Sequence, residues 1–226
     1  MRSSRYLLAA LAIGCLFASE ARANNEISLR LSSLSTVDRG VDAFSTSRQL
    51  LSAELSYARA LTHPQRGLWV EAAWMISGSK DPLFGTQLTA QGTFHTFSLG
   101  ARFTWPLWSW LVPQARAGVG LIVGRIIVDG DGGVGQPVSD TAYGLAVYAL
   151  AGVQFLLPRR WMRREDQSGF TVGFVIEGGI LATTAMAFTL APKADEELRQ
   201  IPLNGVDVGD VSLTAGVFRA GLLVRF

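Results

Sequence analysis

The sequence predicts an all-β chain, folded as an antiparallel eight-stranded transmembrane β-barrel with up-and-down meander topology. Three observations predict it. Eight segments alternate between an apolar residue and a small or polar one. Every charge within those strand positions falls on the polar side. Short turns alternate with long, polar loops along the chain.

Composition narrows the field first. Of 226 residues, 49% are apolar and 17% charged, with 24 glycines. That is too apolar for a disordered chain and too rich in glycine for a helical bundle. No stretch reaches the roughly 18 apolar residues of a membrane helix. The best candidate, Leu145 to Leu157, is interrupted by Gln154. A secreted apolar chain of this kind is a soluble β domain or a membrane barrel.

Secretion is read from the start of the chain. Arg2 and Arg5 form a positive region, Tyr6 to Ala18 a short apolar run, and Ala21-Arg22-Ala23 a cleavage site. This is the pattern of a signal peptide over residues 1–23, which leaves a barrel domain over 24–226. Removing Arg2, Arg5, Arg22 and Glu20 takes 20 basic and 18 acidic residues to 17 of each. The neutral remainder gives no support for nucleic-acid binding. Cys15 is the only cysteine and lies inside the leader, behind a loose lipoprotein-like box in which Ala12 stands where leucine is preferred. No disulfide, thiol chemistry or metal ligation by cysteine is expected in the mature chain.

The segments follow in order. In the first, Ile27, Leu29 and Leu31 oppose Ser28, Arg30 and Ser32; in the second, Leu51, Ala53, Leu55 and Tyr57 oppose Ser52, Glu54 and Ser56. The third sets Leu68, Val70, Ala72, Trp74 and Ile76 against Trp69, Glu71 and Ala73. The fourth sets Phe97, Leu99, Ala101, Phe103 and Trp105 against Thr96, Ser98, Gly100, Arg102 and Thr104. The fifth carries Ala115, Ala117, Val119, Leu121 and Val123 opposite Gln114, Arg116, Gly118 and Gly120. The sixth runs from Tyr143 to Phe155, with Gly144, Tyr148, Gly152 and Gln154 on its other face. The seventh has Phe170, Val172, Phe174 and Ile176 against Thr171, Gly173, Glu177 and Gly179. The last has Phe218, Ala220, Leu222, Val224 and Phe226 against Arg219, Gly221 and Arg225.

The charges choose which face points inward. Arg30, Glu54, Glu71, Arg102, Arg116, Glu177, Arg219 and Arg225 share the small, polar face, and no lysine joins them. Arginine suits enclosed ion pairs, because its planar fork meets a carboxylate in two places. A solvated outer face would mix in lysine. The polar face is therefore expected to fill a narrow lumen, with the apolar face toward lipid.

Turns and aromatics agree. The connections Thr62–Arg66 and Pro106–Leu111 are short, whereas 77–92, 128–140 and 184–209 read as long loops rich in Gly, Asp, Pro and Thr. Pro158 to Ser168 is a long exception on the short-turn side. Trp105, Trp108, Trp110, Phe155 and Trp161 crowd the short-turn rim, as indoles do at a membrane interface.

The chain's end carries a resemblance. Arg219, Gly221, Val224 and Phe226 occupy the places of the C-terminal signal of bacterial outer-membrane barrels, which finishes on an aromatic. The whole is similar to the small eight-stranded outer-membrane barrels, the OmpA transmembrane domain and OmpX. The resemblance implies an outer-membrane location with both termini periplasmic. It implies contact with outer-membrane lipid and lipopolysaccharide, and handling by periplasmic chaperones and the barrel-assembly machinery through strand pairing.

Other motifs carry little. Gly130 to Gly135 matches a dinucleotide loop in letters, but Pro137 follows instead of a helix. Asp129, Asp131 and Asp140 lack the middle ligands of a calcium loop. The two histidines, His63 and His95, make no serine-hydrolase set; His95 and Ser98 fall on opposite faces of their strand. Arg159, Arg160, Arg163 and Arg164 form a basic turn, and 195–201 could form a helical turn in the last loop. No cofactor, metal or nucleic-acid partner is expected. The reading is a structural or surface-interaction barrel plugged by Arg/Glu ion pairs, with a small porin as the alternative and a lipid-modifying enzyme behind it.

Overall fold

A computed structural model describes residues 24–43, 45, 48–62, 66–83, 88–130, 138–157, 170–190 and 206–226. Eight strands close a barrel: β1 (Asn25–Thr36), β2 (Gln49–Ala60), β3 (Gly67–Leu83), β4 (Leu88–Thr104), β5 (Leu111–Gly130), β6 (Val138–Leu156), β7 (Thr171–Thr183) and β10 (Ala215–Arg225). All neighbours are antiparallel, in the order β1-β10-β7-β6-β5-β4-β3-β2. Between β7 and β10 the chain forms a separate hairpin, β8 (Met186–Leu190) with β9 (Val206–Val211). None of the described helical segments is long and apolar enough to cross a membrane.

Closure is set by the two ends. Asn25 N donates to Phe226 O at 2.9 Å, and Phe226 N returns a bond to Asn25 O at 2.8 Å. The register Leu29↔Leu222 and Leu31↔Ala220 then keeps the apolar positions of both strands on one side. Because side chains alternate along a strand, one correct register orients every pair around the barrel. The two described ends and the β2–β3 and β4–β5 turns share one rim; the β1–β2 connection and the β8–β9 hairpin lie at the other.

The alternating apolar positions face outward. Leu29, Leu55, Val70, Leu99, Val119, Leu145, Ile180 and Leu222 are all exposed. A soluble protein rarely carries a continuous apolar belt of this extent, whereas lipid requires one. The charged positions face inward and are buried, with Arg30 and Arg102 at 0% exposure. Both are the reverse of a water-soluble barrel.

Two expectations need correction. The segment 77–92 is mostly strand rather than loop, since β3 runs to Leu83 and β4 starts at Leu88; the described residues of 128–140 are strand too, with β5 running to Gly130 and β6 starting at Val138. Cross-strand pairing from Ser79↔Gly92 to Leu83↔Leu88 satisfies backbone groups that a loop would leave to water. The 184–209 loop contains β8 and part of β9. The second correction concerns the polar face, which is not small and polar throughout. Toward the rim away from the termini, Leu34, Leu50, Phe94, Ile122, Ile126 and Leu181 point inward and form an apolar cluster that reaches down to Leu150, across from Arg116.

The hairpin completes that cluster. Met186 and Phe188 of β8, with Val211 and Leu213, are buried against it. Gly124 and Gly144 make room: a Cβ on Gly124 would stand 2.9 Å from the Phe94 ring and 3.0 Å from that of Phe188, and one on Gly144 would meet Met186 at 3.0 Å. The 310 turn Arg39–Ala43 packs beside β9, with Val41 fully buried. Asp38 Oδ2 accepts from Ser212 N at 2.7 Å, and Asp140 Oδ2 accepts from Thr189 N at 2.7 Å, so carboxylates hold the hairpin at both sides. In the same loop Arg48 turns with φ of 51° and grips Asp42 in two places, at 2.7 and 2.8 Å. Those bonds, and then the charge of Asp42, raise the Arg48 pKa above its ordinary value.

Candidate functional site

The interior divides into three levels. Nearest the terminal rim, Glu26 on β1 meets Arg102 on β4 at 2.6 Å and Arg225 on β10 at 2.8 Å. Trp69 on β3 is fully buried beside them, with the Arg102 guanidinium 4.9 Å and that of Arg225 4.7 Å from its ring centre. Its Nε1 donates to Thr104 Oγ1 at 3.3 Å. Gln154 donates to Gln114 Oε1 at 2.7 Å and accepts from Arg225 at 2.8 Å.

The middle level is the densest. Glu54 on β2 accepts from Arg30 at 2.6 Å, from Arg116 at 2.8 Å and from Arg219. Glu71 on β3 accepts from Arg116 and, at 3.1 Å, from Arg30. Glu177 on β7 lies 3.6 Å from Arg30 and accepts from Gln114 at 2.6 Å, which ties the two levels together. Beside these groups the Tyr148 ring packs against Arg116, 5.2 Å from guanidinium carbon to ring centre. The apolar cluster and hairpin close the third level.

Strand register explains the pairings. Arg30 sits directly across from its partner Glu54, whereas Arg219 sits directly across from Glu177 and reaches Glu54 instead. Arg102 and Arg116 are also directly opposite, which for like charges is unfavourable. They diverge instead, Arg102 toward Glu26 and Arg116 toward Glu54 and Glu71. Such a network is stable only when each charge is met, because an enclosed unpaired charge costs several kcal/mol.

All seven sequence-predicted network residues, Arg30, Glu54, Glu71, Arg102, Arg116, Glu177 and Arg219, stand in this interior, together with Arg225. Sequence reasoning missed Glu26, the fourth enclosed glutamate. Its signal was present: the alternation Ser28, Arg30, Ser32 continues one step back to Glu26. Gly221 and Arg219 of the terminal segment face inward beside Arg30 and Glu54, Val224 pairs with Ile27, and Phe226 pairs with Asn25 at the rim. Trp105, Trp108 and Trp110 are exposed at the β4–β5 turn, where Trp108 stacks on Trp110 and Trp110 on Phe155. His95 faces outward and stacks on Trp74, whereas Ser98 falls on the opposite, inward-facing side of the strand. The leader with Cys15, His63, 131–137, the basic turn with Trp161, and 195–201 lie outside the described residues.

An apolar outer belt around an enclosed ionic interior defines a small eight-stranded barrel of the outer-membrane type. Comparison with solved structures gives neighbours at low identity. The attachment invasion locus protein Ail of Yersinia pestis shares 13% identity over 90% of this chain and 97% of that chain, with a TM-score of 0.45. Neisserial surface protein A shares 15% over 92% and 100%, with a TM-score of 0.44. The N-terminal β-barrel domain of Pseudomonas aeruginosa OprF shares 12% over 92% and 100%, with a TM-score of 0.39. No family model matches the chain, and the comparison with curated proteins gives no match.

Proposed function

We propose that this chain is a closed, non-enzymatic barrel of the bacterial outer membrane that acts as a structural element and presents its loop rim to the cell exterior. One observation carries the reading: the lumen is filled twice, by the Arg/Glu network and by the apolar cluster under the β8–β9 hairpin. An eight-stranded barrel has an interior just wide enough for side chains to fill it, and here they do. In this reading both termini lie in the periplasm and the hairpin rim faces outward. The aromatic turn Trp105–Trp110 then rests at the inner headgroup level, as amphipathic rings prefer. The strand Arg219–Phe226 serves as the segment read by the assembly machinery, since it is the partner that closes β1. Periplasmic chaperones would carry the chain before that closure.

Swelling of sugar-loaded vesicles carrying the refolded barrel tests this. The closed reading predicts swelling no faster than in protein-free vesicles. Swelling that scales with barrel number and falls with solute size would replace it with a small porin.

A further inference from the structure

The lipid-facing belt is not uniform. On its β1–β4 side, near the hairpin rim, lies a groove of about 390 Å³ bounded by Leu31, Leu51, Ala53, Ile76, Gly78 and Thr93. Its floor is bare because Gly78 has no side chain to cover it. Gly78 sits directly across from Leu51 on one side and Thr93 on the other. It admits no side chain: a Cβ would stand 2.9 Å from the Gly92 carbonyl oxygen.

Two basic residues stand at the upper end of this groove. Arg125 on β5 lies directly across from Thr93, and Lys80 on β3 lies two positions beyond Gly78. Both are exposed, and the alternation puts both on the outer face. Neither makes an ion pair with any of the described residues. The outward carboxylate on the same side, Asp129, is four positions further along β5; Asp81 follows Lys80 on the opposite face. Below them the outer face turns apolar through Ile76, Leu51 and Leu31, while His95, across from Ile76, stacks on Trp74. Cationic side chains with long stems thus reach headgroup level directly above an apolar slot.

We propose that this face seats one phosphate-bearing lipid of the leaflet at the hairpin rim, an acyl chain lying in the Leu31–Gly78 groove and the phosphate between Lys80 and Arg125. The assignment rests on the barrel spanning the membrane with that rim at the outer surface. Lysine and arginine each contribute attraction to an anionic lipid surface, and a bare groove adds apolar contact that a flat belt lacks.

Native mass spectrometry tests it, on the full barrel extracted from phosphatidylcholine vesicles that contain a minor fraction of diphosphoryl lipid A. The wild-type barrel should retain one lipid A molecule. K80Q/R125Q should weaken retention about 30-fold, following from the loss of two surface cations. Ala53→Leu, which fills the groove and leaves both cations, should weaken it independently. Heat-modifiable gel mobility confirms that each variant is folded, and vesicle swelling reports the closed lumen separately. Equal retention by wild type and K80Q/R125Q overturns the proposal. So does displacement of the lipid by inorganic phosphate with no effect of Ala53→Leu, which would make the site a soluble-anion site.

Discussion

Replacing Glu54 by glutamine removes one negative charge from the point where three guanidiniums converge. The change keeps the side-chain volume, so cavity formation adds little and the effect is electrostatic. Arg30 and Arg116 lie 2.6 and 2.8 Å from the Glu54 carboxylate, with Arg219 also in contact. With charge centres about 4 Å apart and an effective dielectric near 20, each attraction is about 4 kcal/mol before desolvation and repulsion are subtracted. Glu71 lies in the same cluster and repels Glu54, and burial opposes every charge, so most of that gross attraction is offset. The buried set goes from five arginines against four glutamates to five against three. Removing one partner from such a set costs about 3–5 kcal/mol. The assay is urea unfolding of the barrel in lipid vesicles, followed by tryptophan fluorescence and by the heat-modifiable band on gels. Ser56→Ala is the scale: Ser56 accepts from Arg30 at 3.0 Å and shares a 2.7 Å bond with Ser28, and its loss should cost about 2 kcal/mol. The E54Q deficit should also persist at high salt, since enclosed pairs are poorly screened. A midpoint shift no larger than that of Ser56→Ala would refute the reasoning.

Three further outcomes follow from the same interior. Trp69→Phe loses the bond to Thr104 and weakens two cation–π contacts, so the unfolding free energy from the urea curve should fall by about 1–2 kcal/mol. Phe188→Ala should loosen the hairpin rather than the barrel, at a local cost of about 3 kcal/mol, seen as faster proteolysis between β8 and β9 with an unchanged barrel midpoint. Gly124→Leu should act like Phe188→Ala, because the new side chain would collide with Phe94 and Phe188.

Much of the fold was legible because a barrel strand has a period of two and its two faces meet different solvents. Lipid on one side and arginine on the other leave little ambiguity for Leu29, Arg30 and Leu31, or for Leu55 beside Glu54. The ionic level was legible for the same reason. The third level was not, because alternation fails as a signal when both faces are apolar. Leu121, Ile122 and Val123 form a plain apolar run, in which nothing local marks Ile122 as luminal. Such runs were themselves a sign of a dry, packed section of lumen. The hairpin was hidden for another reason: β8 and β9 are only five and six residues long and pair across an intervening segment. Their partners, Phe94 and Ile126, are far away in sequence.

The lumen is filled from rim to rim, and single-channel recording in a planar bilayer addresses this most directly. Only barrel with heat-modifiable mobility should be used. A filled lumen gives a silent membrane for the wild type, and silence also for Phe188→Ala, because the Arg/Glu levels still block the path when the hairpin is loosened. Reproducible, voltage-stable conductance steps from the wild-type barrel would contradict it.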